Sequence, residues 1–156
     1  MKDVVLRRAT PADCRAAWEL ICDMEQTELP YEAFSAIFER QNANDAFYCL
    51  AAESGGRVVG VLNMRFEEQL HHAGLMAEMM EFAIAEDFRN AGLGHEMFAE
   101  ACRIARERGC PQLELACNKL RLDAHRFYRR EGMQDHHFKF SVRLDGQADT
   151  GNRLGR

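Results

Sequence analysis

The feature that most constrains this chain is a glycine-containing turn between an apolar segment and a long amphipathic one. Residues 79–84 are mostly apolar, and Arg89-Asn90-Ala91-Gly92-Leu93-Gly94 follows soon after them. From Leu93 onward apolar residues recur three and four positions apart, which predicts a helix with one buried face. Glycine permits a tight turn, and a helix start carries unpaired amides and the positive dipole end. The turn therefore suits a polyanion such as a diphosphate, although an ordinary strand-to-helix turn carries similar glycines.

Length and composition are those of one globular domain. The chain has 156 residues, of which 47% are hydrophobic and 29% charged, and we expect a single domain over residues 1–144 and a polar tail over 145–156. No apolar stretch is long enough to span a membrane, and residues 1–5 lead into no signal-peptide core, so we expect a cytoplasmic protein. The net charge of −5 argues against nucleic-acid binding. The six scattered cysteines are expected to be reduced and mostly structural.

Apolar periodicity predicts alternating strands and helices. The predicted strands cover residues 4–9, 47–52, 58–66, 77–84, 112–117 and 137–144. The predicted helices cover residues 10–24, a segment with Phe34, Ile37 and Phe38, a segment from Leu93 to the stop at Gly109, and a segment from Asp123 to Gly132. Glu53-Ser54-Gly55-Gly56 predicts a hairpin turn, and Glu67, Glu68, His71 and His72 are expected in a polar loop. The order implies an α/β fold in which helices cover both faces of a mixed sheet of about six strands.

Two motifs then identify a family resemblance. Arg89-x-x-Gly92-x-Gly94 and Ala124-x-x-Phe127-Tyr128-x-x-x-Gly132 resemble the pyrophosphate turn and the C-terminal motif of the GNAT superfamily of N-acetyltransferases, which use acetyl-CoA. The resemblance implies a mostly antiparallel mixed sheet of six to seven strands, splayed between the fourth and fifth. A narrower resemblance, to aminoalkylphosphonate N-acetyltransferases, rests on His71-His72, residues 123–128, Arg130-Glu131-Gly132 and His137-Phe138.

Within that resemblance, acetyl-CoA would lie along the fourth strand and over the glycine turn. The pantetheine arm would pair with the end of the strand almost as an extra strand, and a backbone N–H there would polarise the thioester carbonyl. The residues assigned to the cofactor are Phe82, Ala83, Ile84, Arg89, Asn90, Ala91, Gly92, Leu93, Gly94, His95, Asn118 and Phe127. Asn118, at the edge of the splay, could equally serve as a loop cap.

Acetyl transfer to an amine also needs a base and an acid. An alkylamine of pKa ~10 is almost wholly protonated at neutral pH, so a carboxylate would help to remove the proton. Glu78 lies six residues before Ile84, where the resemblance places a catalytic glutamate in some members. Glu81, three residues on, is expected on the opposite face of a regular strand, and which of the two is the base stays open. Tyr128 is the predicted acid for the departing thiolate.

The predicted acceptor is the primary amine of a small molecule, with an aminoalkylphosphonate favoured. A phosphonate needs cationic or donor groups, and the candidates are Arg65, His71, His72, Arg121 and His137. A divalent ion held by Glu78 and a histidine is conceivable, but the spacing matches no strong metal signature, so no metal ligand is assigned. The alternatives are another amine (an antibiotic, a polyamine or a protein N-terminus) or a non-catalytic acetyl-CoA sensor. Pairing of two chains as a homodimer also stays open.

Overall fold

The structure, a computed structural model, describes residues 3–149. They fall into two compact units that divide after Leu115. The first unit contains strands β1 (Val5–Arg8), β2 (Phe47–Ser54), β3 (Arg57–Gln69), β4 (Gly74–Ile84) and β5 (Leu113–Leu115), and helices α1 (Cys14–Glu25), α2 (Tyr31–Asn42) and α3 (Leu93–Glu107). The second unit contains helix α4 (Leu122–Arg130). Residues 150–156, most of the predicted tail, lie outside the described part of the chain.

The five strands form one sheet in the order in which they occur along the chain. Neighbours from β1 to β4 are antiparallel, and only β4 and β5 are parallel; helix α3 between them supplies the crossover that a parallel pair needs. The hairpin between β2 and β3 was predicted correctly. Its Gly55 and Gly56 have φ values of +58° and +79°, which residues with a Cβ rarely adopt.

Helices cover both faces of the sheet, as predicted. Consecutive residues of a strand point to opposite faces. Val61 of β3 packs with Ala17 and Ile21 of α1, whereas a Cβ built on the preceding Gly60 would lie 2.8 Å from the sulfur of Met97 in α3. Helices α1 and α3 therefore bury their apolar faces on opposite sides of β3.

The sheet is smaller than the sequence predicted. Five strands are present among residues 3–149 instead of six to seven, and β5 spans three residues instead of 112–117. The predicted strand at 137–144 is wrong because the segment has irregular backbone. Its apolar residues do alternate, but Phe138, Phe140, Val142 and Leu144 are 74–93% exposed. Alternation makes a strand only where a neighbouring backbone supplies hydrogen bonds and cover. The splay beside β4 stays a prediction.

A second correction concerns the end of β3. Glu67 and Glu68, which were expected in a loop, extend β3 and pair with Met76 and Leu75 of β4. The connection is thereby shortened to a single 3₁₀ turn at Leu70–His72. No helix within residues 3–149 combines the length and the apolar character needed to cross a bilayer.

Strand β4 contains one residue more than the segment of β3 that it faces. Asn63 pairs with Glu81, but Met64 pairs with Met79, so Met80 is the extra residue of a β-bulge. Beyond a bulge the alternation of faces is shifted by one residue. Glu78 and Glu81 consequently lie opposite Arg65 and Asn63, which are two positions apart on β3 and share a face. The expectation that the two glutamates point to opposite faces is therefore wrong.

Glu81 lies in a partly buried hydrogen-bonded chain. The Asn63 amide nitrogen donates to Glu81 Oε2 at 3.0 Å and to Gln41 Oε1 of α2 at 2.9 Å. Burial raises the pKa of the Glu81 carboxyl above its ordinary value, the hydrogen bond from Asn63 opposes this rise, and the nearby charges of Glu25 and Glu78 add to it. The folded protein thus disfavours a negative charge at this position.

Relative to the wild type, the Glu81→Gln protein should become progressively more stable as the pH rises. Because the folded-state pKa lies above the ordinary glutamate value of 4.5, the folded protein holds the proton longer, and the Glu81 contribution to stability falls with rising pH. Glutamine carries no charge and removes this dependence. Urea unfolding from about pH 4 to about pH 7 measures the free energy of unfolding across the titration range. Glu39→Gln, at an exposed position of α2, is the control, and a wild-type-to-variant difference that is constant with pH would contradict the prediction.

Candidate active site

An ion pair across β3 and β4 lies at the centre of the candidate site. Arg65 Nη2 donates to Glu78 Oε2 at 2.6 Å, and Glu67 Oε2 lies 3.6 Å from the same nitrogen. Arg65 and Glu78 are direct cross-strand neighbours, so the sheet register itself holds them together. Their side chains are 37% and 34% exposed, which leaves both accessible to a ligand. Arg65 Nε is buried and has no hydrogen-bond partner among the described residues.

The glycine turn contains two residues with a positive φ. Asn90 and Gly92 have φ values of +59° and +88°. Helix α3 begins directly afterwards, and the Glu96 N–H donates to the Gly92 carbonyl at 3.2 Å. A Cβ built on Gly92 would meet no atom within 4 Å. The first amides of a helix have no hydrogen-bond partner within it, and open space lies beside Gly92. Binding of an anion requires both.

Arg89 fastens this turn to the rest of the first unit. Its Nε donates to the Ile84 carbonyl at 2.9 Å, and its Nη2 donates to Asp23 Oδ2 at the end of α1 at 2.8 Å. The guanidinium therefore joins the end of β4 to α1 and to the turn. In this arrangement the Arg89 side chain shapes the turn.

The end of β4 is joined to this turn by a short 3₁₀ turn at Glu86–Phe88. Ala83 is buried against α1, while Phe82 and Ile84 are half-buried. The pairing of β4 with β5 covers three residues and ends at Met79 and Leu115. Residues 82–84 thus lie beyond the β5 ladder and close in sequence to the turn.

The second unit carries the other residues assigned to catalysis and cofactor binding. Asn118 Oδ1 accepts from the Leu120 N–H at 2.9 Å and its carbonyl accepts from the Arg121 N–H at 3.0 Å, so Asn118 does cap the loop before α4. On α4, the rings of Phe127 and Tyr128 meet edge to face at 5.3 Å between centroids. Burial raises the pKa of the Tyr128 hydroxyl to about 12. Tyr128 therefore keeps its proton at neutral pH.

The candidate acceptor-binding residues are divided between the two units. Arg65 contacts Glu78, whereas His71 and His72 are exposed at the tip of the β3–β4 hairpin, with their ring centroids 4.1 Å apart. In the second unit, Arg121 is half-buried and His137 is exposed. Within residues 3–149 no three His, Cys, Asp or Glu side chains gather as a metal site, so the structure does not support the divalent ion that the sequence left open.

Sequence reasoning missed the polar side chains in the hydrogen-bonded chain around Glu81. Asn63 and Gln41 were not candidates, because nothing local marks an asparagine as the neighbour of a glutamate 18 residues away. One signal was available. Polar residues at 78 and 81 combined with apolar ones at 77, 79 and 83 break a regular alternation, and a break of this kind indicates a bulge.

Comparison with known proteins shows which family the chain resembles. The family model for the acetyltransferase (GNAT) family matches residues 14–133. An aminoalkylphosphonate N-acetyltransferase from Salmonella typhimurium is 35% identical over 139 residues, which are 89% of this chain and 90% of that protein.

Solved structures share the fold. One, titled as a transcriptional regulator from Bacillus halodurans, has a TM-score of 0.84 at 24% identity and covers 91% of this chain and 100% of its own. An aminoglycoside N-acetyltransferase in complex with CoA has a TM-score of 0.83 at 13% identity, and covers 93% of this chain and 97% of its own. The family match and the Salmonella relative show that the chain is an acetyltransferase and belongs to the GNAT family, whose members use acetyl-CoA as cosubstrate.

Proposed function

We propose that this acetyltransferase transfers the acetyl group of acetyl-CoA to the primary amine of an aminoalkylphosphonate. The observation that carries the proposal is the pair formed by Arg65 and Glu78, 2.6 Å apart. An aminoalkylphosphonate needs a carboxylate for its ammonium group and a guanidinium for its phosphonate, and Arg is the residue best shaped for that anion. The Salmonella relative, which bears the name of this activity, supports the same substrate class.

In the proposed reaction Glu78 takes a proton from the ammonium group, directly or through a water. The neutral nitrogen then attacks the thioester carbonyl carbon and gives up a second proton to solvent, the carbon–sulfur bond breaks, and the thiolate leaves with a proton from Tyr128, which solvent then reprotonates. A phenol that is still protonated at neutral pH holds the proton that this second step needs. The products are an amide and CoA.

The proposed cofactor site consists of the turn and the end of β4. The diphosphate would contact the amides that follow Arg89, where the dipole of α3 adds to the attraction. The pantetheine arm would lie beside residues 82–84, in a gap between β4 and β5. The short β4–β5 pairing, which ends at Met79, supports such a gap.

An acceptor screen tests the proposed function. Purified protein with acetyl-CoA should release free thiol with 2-aminoethylphosphonate and aminomethylphosphonate, because their charged ends match Glu78 and Arg65. Thiol release with an aminoglycoside, a polyamine or an N-terminal peptide, and none with either phosphonate, would refute the substrate class. Tight binding of acetyl-CoA by calorimetry without thiol release for any amine would instead favour a sensor.

Tyr128→Phe should lower turnover and leave the affinity for acetyl-CoA almost unchanged. The substitution removes only the hydroxyl, and general acid catalysis contributes about a hundredfold or more to rate. Steady-state kinetics and calorimetric binding separate the two effects. Tyr31→Phe is the matched control, since Tyr31 lies on α2 and contacts Trp18 through its ring. Equal turnover in the Tyr128→Phe and Tyr31→Phe proteins would show that Tyr128 is not the acid.

Gly92→Val should abolish detectable binding of acetyl-CoA. At a φ of +88° a β-branched residue strains the turn, and its side chain would fill the open space where we place the diphosphate. Gly55→Val is the control because Gly55 also has a positive φ, +58°, and open space around it, but lies in the β2–β3 hairpin. Both variants should lose stability, and only Gly92→Val should lose affinity by calorimetry. Wild-type affinity in a folded Gly92→Val protein would contradict the assignment.

A further inference from the structure

The Arg65–Glu78 pair presents a problem for the proposed reaction. A carboxylate whose oxygen lies 2.6 Å from a guanidinium nitrogen is already engaged, and a base must be free to reach the ammonium proton. A second carboxylate, that of Glu67, approaches the same nitrogen at 3.6 Å. In the free protein, Glu78 therefore has a partner that must be exchanged before it can act.

The ion pair with Glu78 also uses only part of the hydrogen-bonding capacity of Arg65. Arg65 reaches Glu78 through one nitrogen, Nη2, and its Nε is buried with no hydrogen-bond partner in the described part of the chain. Arginine binds an oxyanion most strongly through two parallel N–H groups, and a buried donor without an acceptor costs free energy. A tetrahedral oxyanion can accept from two nitrogens of one guanidinium, so it can compete with a one-nitrogen contact.

Charge balance decides which ligands can make this exchange. Glu67, Glu78 and Arg65 together carry a net negative charge, so an anion binds Arg65 only weakly unless a cation meets the carboxylates at the same time. A molecule with an ammonium group at one end and a phosphonate at the other replaces both halves of the pair at once: its cation meets Glu78 while its anion meets Arg65. The exchange leaves the charges of the site paired.

We propose that Arg65 restrains Glu78 in the free protein, and that the phosphonate of the acceptor releases Glu78 by taking Arg65 as its own partner. This proposal rests on the proposed function and adds a reason for acceptor selectivity. An amine without an anion finds the base still paired, whereas an aminoalkylphosphonate frees the base that removes its proton. Arg65 is then a specificity-determining residue as well as a binding one.

The test divides the acceptor into its two ends. Propylamine supplies the amine and methylphosphonate supplies the anion, and acetyl transfer to propylamine is measured with and without methylphosphonate. In the wild-type protein methylphosphonate should raise the rate about two- to fivefold, the range expected for an ion pair that is partly exposed. If methylphosphonate leaves the rate unchanged or lowers it, the proposal is wrong.

Substitution of Arg65 should uncouple the two ends. In Arg65→Met, propylamine should react about two- to fivefold faster than in the wild type, and methylphosphonate should no longer stimulate it. With 2-aminoethylphosphonate, kcat/KM should fall by about tenfold or more, because a charged hydrogen-bond partner is lost. The Arg65→Lys protein should give rates between those of the wild type and Arg65→Met, since lysine keeps the positive charge but lacks the two parallel N–H groups of arginine. A loss of equal size for both acceptors would overturn the proposal.

Two further variants separate this mechanism from other causes. Glu78→Gln should abolish the stimulation by methylphosphonate, because no base remains to be released. Arg103→Met removes an arginine whose partners, Glu100 and Glu107, lie on the exposed face of α3, and it should retain the stimulation. Failure of the proposed function would look different: the wild-type protein would acetylate other amines and not 2-aminoethylphosphonate. Failure of the inference alone would leave 2-aminoethylphosphonate a good substrate whose advantage over propylamine survives Arg65→Met.

Discussion

The pairing of β3 with β4 is the constraint on which the rest of the first unit depends. Ten residue pairs join the two strands, and Met80 is the single unpaired residue within them. This extra residue puts Glu78 and Glu81 on the same face as Arg65, and it keeps Ala83 in the apolar cluster beneath α1. Without the bulge, the residues on one side of Met80 would face the other layer. The shared face of Glu78 and Glu81 and the packing of Ala83 beneath α1 are thus consequences of the β-bulge at Met80.

Much of the fold could be predicted because its determinants are local. The stripe that includes Met97 and Ala101 repeats at helical spacing and is buried in α3, and Gly55-Gly56 makes the expected hairpin. The strand predicted at residues 137–144 is wrong because that prediction also rested on local sequence alone. Its alternation satisfies the local rule, but a strand also needs a partner backbone, and residue periodicity carries no information about that partner.

The candidate site likewise contains features that could be predicted from the sequence and features that could not. The turn at residues 89–94 could be recognised because its chemistry lies within one short segment, and the turn has the positive φ values that its function would need. The Arg65–Glu78 contact could not, since it depends on strand register across 13 residues. The same holds for Arg7, which donates to both carboxylate oxygens of the buried Asp13 and ties β1 to the start of α1. Glu78 and Tyr128 became candidates only through the family resemblance.

The strand order of the sheet has a consequence for how the protein folds. The strands β2, β3 and β4 follow one another through short turns, so their contacts close small loops, whereas β5 can join only after the chain has passed through all of α3. Contacts between residues near in sequence form faster than distant ones. We therefore expect the three-stranded meander to assemble early and the β4–α3–β5 crossover to close late. The turn assigned to the cofactor belongs to that crossover, so a ligand bound there would stabilise the last-formed part of the sheet.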